Sequence, residues 1–554
     1  MFKHILPVLL ILAASSYAGS TLISNNFSYS VPHYSVGLRD ITPLDIRILG
    51  DQGFLIEWAH EGKAMIYVDS QQEEMLRHMG FSPVPVPVTE PLVPYPTLTQ
   101  IYDDIDAVVA AHPDICRKVI IGTSVEGRPM VAVVVSDNVN TEEIEPEMRI
   151  KGGIHGDEPA ASTTTLNYLK VLTDNYATSP MCQYVVDNTE TWIIPVFNPD
   201  GYFHDQRTNA HGVDLNRNLS YMWTGSGGGS APFCEPETAA LRDLTMQNWP
   251  AIENFINPFT AGLSLHGGAD CINTVWNYTT NPLPQDSGLI HQQAIDYIST
   301  PSIVSYFTGS FWIAYPGASW YETHGDVNDW SYGECGTIDH TIEVHSDKHV
   351  SDWPGVANAH YMAILEFFTN STYGIWGTVR TSSGDPIDAQ ISIGIHDQTD
   401  SEALRFCRTD VTLGDYNKSL LPGNYDVAVS AEGYTSQSVE NVSVGSQERV
   451  EVSFILSQTG IESSAEGFPQ TFSVFPNPSR ESCNFLIPES GVGGTVLIYD
   501  ITGRSLMVQD VSPETGNYVW NLKRTDGSDI PSGMYIARYF SGDQNWTVRV
   551  IVNR

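Results

Sequence analysis

Helical and strand patterns alternate through residues 95–368, and this alternation limits the folds that the chain can adopt. Leu98–Ala111 and Thr163–Asp174 have the apolar spacing of helices, whereas Val131–Val135, Met148–Lys151 and Thr191–Phe197 are short apolar strands. Strands and helices in this order predict an α/β domain with a mixed, mostly parallel sheet and helices on both faces. Ligands of such sheets bind at the carboxyl ends of the strands.

Two all-β sandwich modules are expected after this domain. From Tyr373 to Leu456 the chain has only short alternating runs separated by turn signals such as Leu421–Asn424. A polar linker, residues 458–470, leads to a second β region over residues 471–554. Neither region carries a cluster of His, Cys or paired carboxylates, so the chemistry is expected in the middle domain.

The amino terminus has the pattern of a secretory signal peptide over residues 1–18. Lys3 gives a positive start, Ile5–Ala14 is apolar, and small residues precede a cleavage site after Ala18. The apolar run is shorter than the roughly 20 residues that cross a bilayer. The sequence therefore predicts a secreted protein without a membrane span, and its seven cysteines suit an oxidising compartment, although their pairing cannot be deduced.

Residues 19–90 form a segment of their own before the α/β domain. Asp45–Leu49 and Gly53–Ile56 alternate as strands, Gln71–Met79 has a helical pattern, and Val84–Val88 is an extended, proline-punctuated linker. One interpretation is a small independent α/β domain. The other is a propeptide-like segment that shields an enzyme, and the next region favours it.

The charge of the chain excludes one class of partner. Asp and Glu number 65 against 27 Lys and Arg, which gives a formal net charge of −38. A protein that follows a nucleic-acid backbone needs a basic face, so nucleic acid is not expected as a partner.

Three side chains of the middle domain have the chemistry of a catalytic zinc site. His155 and Glu158 are three residues apart after a strand, and His266 ends a later apolar strand. Two histidines and a carboxylate leave a fourth position for water, an arrangement for which carboxypeptidase A is a known example. An H-x-x-E pair alone is a weak signal, and a lone histidine is more often structural.

Further motifs strengthen the assignment: Asn198–Tyr202, Arg207–Asn218, Cys234–Thr238, Trp320–Tyr321, Asp329–Tyr332 and Thr341–Val344. With these motifs the sequence resembles the zinc metallocarboxypeptidase family over roughly 270 residues. The resemblance is greater to the regulatory, carboxypeptidase N/E-like branch than to the digestive branch, and it implies a carboxypeptidase A-like fold.

The resemblance implies a role for each matching residue. His155, Glu158 and His266 match the ligands of one zinc ion, and Glu343 matches the general base that takes a proton from the attacking water. Arg207 matches the group that stabilises the oxyanion. The remaining matches are Asn216, Arg217 and Tyr321 for the terminal carboxylate of the substrate, and Asp214 for the carboxylate that orients a ligand histidine.

The two β regions also resemble known modules. Gly374–Val379 and Leu421–Tyr425 are similar to the transthyretin-like domain of the regulatory carboxypeptidases. Phe475–Pro478, Ile498–Arg504 and Ile530–Tyr535 are similar to sorting domains of bacterial type IX secretion. A bystander or adhesive sandwich is the alternative for the last module.

The sequence thus predicts a secreted zinc metallocarboxypeptidase that hydrolyses the C-terminal peptide bond of peptides or proteins. Two alternatives remain: a zinc amidase or peptidase acting on cell-wall peptides with the same scaffold, and a non-catalytic peptide-binding relative. The secretion machinery is an expected partner through the last domain, with the extracellular space or the cell surface as the location. The expected domains are 1–18 signal peptide, 19–90 propeptide-like segment, 91–370 catalytic domain, 371–457 transthyretin-like sandwich, 458–470 linker and 471–554 sorting-like sandwich.

Overall fold

The computed structural model describes most of the chain. It covers residues 31–88, 90–245, 259–394, 407–458 and 472–552, the last range with short gaps at 476–478, 481, 488–492, 501–503, 513–516, 526 and 542–543. The expected signal peptide lies outside these ranges, as does the expected linker except for Gln458. The chain divides into two units, Met1–Gln458 and Thr459–Arg554.

A small antiparallel sheet with two helices precedes the main domain. Its strands lie in the order β2-β3-β1-β4, and its buried apolar side chains, such as Val36, Leu49 and Ile66, form a core of their own. The elements are β1 (Tyr34–Arg39), α1 (Pro43–Asp51), β2 (Leu55–His60), β3 (Lys63–Val68), α2 (Ser70–His78) and β4 (Val84–Pro85).

Helix α1 corrects the strand that the sequence pattern predicts at Asp45–Leu49. Thr42 caps this helix: its Oγ1 accepts a hydrogen bond from Asp45 N at 3.2 Å, and Asp45 Oδ2 accepts one from Thr42 N at 2.8 Å. Pro43 occupies the first turn, where its missing N–H costs nothing. A reciprocal capping box is a signal for a helix start, and it is followed here by two apolar residues three positions apart, Ile46 and Leu49. The short alternation of apolar and polar residues led to the wrong prediction of a strand.

The central domain is built on one sheet of eight strands in the order β11-β10-β12-β9-β7-β8-β6-β5. The β12-β9, β9-β7 and β7-β8 pairs at the centre of this sheet are parallel, and the β6-β8 and β5-β6 pairs at one side are antiparallel. The strands are β5 (Cys116–Thr123), β6 (Pro129–Val135), β7 (Glu147–Gly152), β8 (Glu190–Ile194), β9 (Phe259–His266), β10 (Ala269–Asn273), β11 (Trp312–Ala314) and β12 (Ile338–His345).

Helices cover both faces of this sheet. One apolar core contains residues of α4 and α11, and a second contains residues of α7 and α10. This arrangement confirms the predicted α/β class. The helices are α3 (Leu98–Ala111), α4 (Pro159–Asp174), α5 (Pro180–Asn188), α6 (Pro199–His204), α7 (Pro236–Thr245), α8 (Ser287–Ser299), α9 (Pro301–Phe307), α10 (Val327–Gly333) and α11 (Trp353–Ser371).

The rest of the first unit is an all-β module of two sheets around one apolar core. Lys418 of this module pairs with Asp286 of the central domain, with 3.2 Å between Nζ and Oδ2. Its strands are β13 (Gly374–Thr381), β14 (Gln390–Ile393), β15 (Cys407–Arg408), β16 (Asp415–Ser419), β17 (Gly423–Ser430), β18 (Gln437–Val444), β19 (Arg449–Glu451) and β20 (Phe454–Leu456).

The second unit is also all-β, as predicted. Two sheets, in the orders β21-β22-β25 and β24-β23-β26-β27, share one apolar core. The strands are β21 (Ser473–Phe475), β22 (Cys483–Leu486), β23 (Gly494–Asp500), β24 (Ser505–Val511), β25 (Asn517–Trp520), β26 (Gly533–Ser541) and β27 (Gln544–Val552).

Two further observations concern the sequence predictions. Within the described residues, no helix has the length and the apolar character needed to cross a membrane. All seven cysteines are described and none is in a disulfide, and five of them are buried. The folds of the domains therefore rest on their apolar cores.

A buried carboxyl group makes the stability of the fold depend on pH. Burial raises the pKa of Glu145 from 4.5 to about 8, against the opposing hydrogen bond from Ser136. The folded protein keeps this proton where the unfolded chain loses it, so the contribution of Glu145 to stability is complete below about pH 4.5 and is lost as the pH rises toward about 8. We expect Glu145→Gln to reduce the fall in Tm between about pH 5 and about pH 8.

The measurement is thermal unfolding of both proteins at the two pH values. Glu432→Gln, which removes an exposed carboxylate from the β module, is the control and should unfold with the pH dependence of the wild type. An unchanged pH dependence in Glu145→Gln would contradict the assignment of a buried, protonated carboxyl group.

Candidate metal centre and substrate pocket

Three neighbouring strands carry the side chains of the predicted site to one edge of the sheet. His266 is the last residue of β9, and Glu343 lies beside it on β12 in parallel register. His155 and Glu158 lie in the loop that joins β7 to α4. Because β7 and β9 are parallel neighbours, their carboxyl ends meet, and residues 111 positions apart become adjacent.

The loop after β7 is fixed by a close backbone approach. Gly156, between His155 and Asp157, packs against Gly201, and a Cβ atom at position 156 would lie 1.9 Å from the carbonyl carbon of Gly201. Glu158 occupies the N-cap position of α4 but makes no capping hydrogen bond with its side chain. Its carboxylate is therefore free to face the two histidines.

The three candidate ligands converge. Nδ1 of His155 lies 2.7 Å from Glu158 Oε1 and 3.2 Å from Nδ1 of His266, and Nδ1 of His266 lies 3.2 Å from Glu158 Oε2. All three residues are buried, and one ligand atom from each can be chosen so that these atoms lie within 4.8 Å of one another. Among the described residues this is the one such group of three or more His, Cys, Asp or Glu side chains.

This donor set fits a divalent cation such as Zn²⁺. Burial lowers the pKa of His266 to about 4, with Glu158 opposing the shift, so its imidazole is neutral and its Nδ1 can offer a lone pair. Burial alone would raise the pKa of Glu158, but the neighbouring His155 holds it well below its ordinary value. Two imidazole nitrogens and one ionised carboxylate are the ligands of catalytic zinc sites.

Asp214 and Arg207 support the centre from one side. Asp214 Oδ1 lies 3.1 Å from Nε2 of His155, which fixes the orientation of that ring. Arg207 donates hydrogen bonds to Asp214 Oδ2 from Nε at 3.1 Å and from Nη2 at 2.9 Å. Burial opposes ionisation of Asp214, but Arg207 outweighs it and holds the pKa of this carboxyl well below its usual range.

Glu343 faces the same pocket from β12. Its Oε2 is buried and has no hydrogen-bond partner among the described residues. Burial, followed by the charge of Glu158, raises the pKa of Glu343 well above its ordinary value. A cation held by the three ligands would act in the opposite direction and favour the ionised carboxylate.

A second group of side chains lines the pocket beside the metal ligands. Asn216 and Arg217 lie on a single 3₁₀ turn, Leu215–Arg217, and Tyr321 faces them. Arg217 Nη2 donates to Tyr321 Oη at 3.4 Å, and burial raises the pKa of Tyr321 to about 12. The structure therefore brings every sequence-predicted site residue together, with Asp214 behind the pocket rather than on its wall.

Several further residues line the pocket, among them three that sequence reasoning missed and that come from elements outside the predicted motifs. Glu57 and Trp58 come from β2 of the N-terminal segment, and Lys348 comes from the loop after β12. Lys348 follows Glu343 by five residues, so its proximity could have been expected. The sequence contained one indication that Glu57 has a special role: it is a charged residue within an apolar strand pattern.

Three family models match the chain, each over a different region. Residues 101–366 match the zinc carboxypeptidase family, 374–457 match the carboxypeptidase regulatory-like domain, and 473–553 match the secretion system C-terminal sorting domain. The zinc carboxypeptidase model thus matches nearly the whole of the central domain. These matches confirm all three resemblances noted in the sequence.

Individual relatives agree with this assignment. Human carboxypeptidase D is 29% identical over 387 residues, which are 64% of this chain and 26% of that protein. Carboxypeptidase SOL1 of Arabidopsis thaliana is 27% identical over 397 residues, 66% of this chain and 72% of that protein. The chain thus spans about a quarter of the length of carboxypeptidase D.

One solved structure shows the fold. Carboxypeptidase A of Helicoverpa armigera superposes with a TM-score of 0.51 at 16% identity, over 62% of this chain and 98% of that one. The likeness places the central domain in the carboxypeptidase fold class, as the sequence predicts.

The geometry predicts a ranking of zinc affinities. His266→Ala removes a proposed ligand and should bind zinc more weakly than Asp214→Asn, which keeps all three proposed ligands, weakens the orientation of the His155 ring and should lose about tenfold to a hundredfold in affinity. Titration against a chromophoric chelator measures each value. The control is His78→Gln, at an exposed histidine of α2, which should bind zinc as the wild type does. Equal zinc affinities for the wild type and His266→Ala would exclude this metal centre.

Proposed function

We propose that the chain is a secreted zinc metallocarboxypeptidase that hydrolyses the last peptide bond of peptides or proteins. The observation that carries the proposal is the shared pocket. Metal ligands, a buried carboxylate without a hydrogen-bond partner, and an arginine–tyrosine pair all face it.

The three ligands His155, Glu158 and His266 would hold one Zn²⁺ ion. Bound there, zinc supplies an electrophile and lowers the pKa of water toward neutrality. Glu343 is placed to take the proton of the attacking water and to return it to the leaving amine, because its Oε2 is free and faces the pocket.

Arg207 is the proposed stabiliser of the charge that develops on the carbonyl oxygen. Its guanidinium is buried and held by two hydrogen bonds to Asp214, so it is oriented before the substrate arrives. A fixed cation in a site that excludes water stabilises a developing anion more strongly than a mobile one in solvent.

Arg217, with Asn216 and Tyr321, is the proposed binding site for the terminal carboxylate of the substrate. A guanidinium can pair both oxygens of a carboxylate through two parallel hydrogen bonds. Arg217 keeps Nη2 directed to Tyr321, and Nη1 donates to the backbone oxygen of Asn216 at 2.8 Å. The pocket thus offers a cation to the C-terminal carboxylate of a peptide. Recognition of a free chain end is what an exopeptidase requires.

The flanking regions complete the proposal. Residues 19–90 are proposed as a propeptide-like segment, because β2 reaches the pocket of the domain at 91–370. Residues 1–18 are the proposed signal peptide. Residues 371–457 form the proposed transthyretin-like domain, and the linker at 458–470 follows it. Residues 471–554 form the domain that is proposed to engage the secretion machinery. The extracellular space, with or without attachment to the cell surface, follows as the location.

The test is the release of single amino acids from peptides with free and with amidated C-termini, measured after proteolytic removal of the propeptide-like segment. We expect zinc-dependent release from the free peptides and at least a hundredfold slower release from the amidated ones, because Arg217 needs an anionic partner. Equal rates on both, or cleavage of γ-linked cell-wall peptides alone, would replace the proposal with the amidase alternative. Loss of activity with a chelator and its return with zinc are the controls.

Glu343→Gln separates catalysis from binding. The amide keeps the size of the side chain but cannot accept the proton, so we expect unchanged zinc binding and a fall in kcat of about 10² to 10⁴. Steady-state kinetics and metal analysis of the purified variant measure the two effects. Wild-type turnover in Glu343→Gln would remove this residue from the mechanism. A wild type that stays inactive after removal of the propeptide-like segment, yet binds peptides, would favour the non-catalytic relative.

A further inference from the structure

The sequence motif at residues 234–238 belongs with the site motifs, yet none of its side chains lines the metal pocket. It contains the first turn of α7, which begins at Pro236. The loop at residues 207–218, which carries Arg207 near one end and Arg217 near the other, attaches to this motif at two places. Each attachment is made by a buried asparagine close to one of the two arginines.

Asn209 closes the turn between Arg207 and Asp214. Its Oδ1 accepts hydrogen bonds from His211 N and Val213 N, both at 3.1 Å, and its backbone N donates to Val213 O at 3.1 Å. Arg207 and Asp214 flank this turn and are joined by the two hydrogen bonds that Arg207 donates to Asp214 Oδ2. The position of Arg207 relative to Asp214 therefore depends on the turn at Asn209.

Two carboxyl groups at the start of α7 hold the amide of Asn209. Its Nδ2 donates to Glu235 Oε2 at 2.7 Å and to Glu237 Oε2 at 3.0 Å, so both amide hydrogens are used. Glu237 Oε1 accepts a hydrogen bond from Val125 N at 3.2 Å, which extends the contact to the turn after β5. Burial raises the pKa of Glu237 to about 7, and the hydrogen bond from Asn209 opposes this shift.

Asn218 makes the second attachment, directly after Arg217. Its Oδ1 accepts hydrogen bonds from Glu235 N at 3.3 Å and from Thr238 Oγ1, and its Nδ2 donates to Gly228 O at 2.6 Å. Asn218 also ends the 3₁₀ turn that carries Arg217. The turn is thus held at its C-terminal end by the same start of α7 that holds Asn209.

We propose that Asn209 and Asn218 are positioning residues through which the start of α7 places the two arginines of the pocket, an inference that rests on the proposed carboxypeptidase function. Asn209 acts on Arg207, and Asn218 acts on Arg217. Both asparagines are fully buried, and neither lines the pocket. A buried amide costs stability unless its hydrogen bonds are made, so these contacts fix one arrangement of the loop. Precision of this kind matters because a displacement of about 1 Å can cost about a hundredfold in rate.

The experiment compares Asn209→Ala with Asn218→Ala in the zinc-loaded protein after proteolytic removal of the propeptide-like segment. Arg207 is the proposed group for the transition state, so Asn209→Ala should lower kcat at least tenfold and change KM less than threefold. Arg217 is the proposed group for the substrate carboxylate, so Asn218→Ala should raise KM at least tenfold and change kcat less than threefold. Steady-state kinetics on one peptide with a free C-terminus measure both constants.

A general loss of folding predicts a different result. It reduces the fraction of active molecules, which lowers kcat in both variants and leaves KM unchanged, and that result would overturn the proposal. In an Arg207→Gln background, Asn209→Ala should change kcat less than threefold, because both substitutions act through the same group. A further tenfold loss in the double variant would show that Asn209 does not act through Arg207.

Two milder variants keep the test decisive if the alanine variants do not fold. Glu237→Gln keeps the size of the side chain but turns an NH₂ group toward Asn209 Nδ2 or Val125 N, and should lower kcat at least threefold with KM unchanged. Thr238→Val removes one donor to Asn218 Oδ1 and should raise KM at least threefold with kcat unchanged. Wild-type constants in both variants would overturn the proposal.

The matched control is Asp243→Asn, at a partly exposed position of the same helix, which should keep the wild-type constants. Binding measurements separate this proposal from the proposed function, which fails if the wild type hydrolyses no peptide. By calorimetry, Asn218→Ala should still bind a peptide with a free C-terminus at least tenfold more weakly than the wild type. Asn209→Ala should bind zinc at least threefold more weakly, because Asp214 then orients the His155 ring less firmly. Wild-type affinities in both variants would overturn the positioning roles, whatever the activity.

Discussion

One carboxylate, Asp214, connects the separate parts of the pocket. It orients the His155 ring through Nε2, and it holds Arg207 through two hydrogen bonds. Its Oδ1 also accepts a hydrogen bond from Asn216 N at 2.9 Å, at the start of the turn that carries Arg217. The proposed metal ligand, the proposed oxyanion group and the proposed carboxylate-binding turn therefore share one buried anion, and Arg207 holds Asp214 in its charged form.

The topology of the sheet explains why this network can exist at all. Parallel β7 and β9 end at the same edge, which brings His155 to His266 although 111 positions of sequence separate them. The loop between His155 and Glu158 can lie flat against Gly201 because position 156 is glycine. A site made of side chains on strand ends has little freedom, so the ligands need no large rearrangement to converge.

The sequence predicted the α/β class and the pocket residues because both have local signals. The strand and helix pattern gives the class, and the spaced motifs that contain His155, Arg207 and Glu343 have recognisable chemistry. It failed where the deciding contact is long-range. Nothing near Glu57 indicates that it will contact Lys348, which lies 291 residues further along the chain. The wrong prediction of a strand at Asp45–Leu49 has another cause. The alternation of apolar and polar residues there is too short to outweigh the helix-capping box at Thr42.

The pocket combines charges of both signs. A protein with 65 acidic and 27 basic residues places Arg207, Arg217 and Lys348 around it, beside the carboxyl groups of Glu57, Glu158, Asp326 and Glu343. Because these opposite charges compensate one another, a net positive field is not what would draw a peptide to the pocket. Recognition of a terminal carboxylate depends instead on direct pairing with the guanidinium of Arg217, whose fork matches both oxygens.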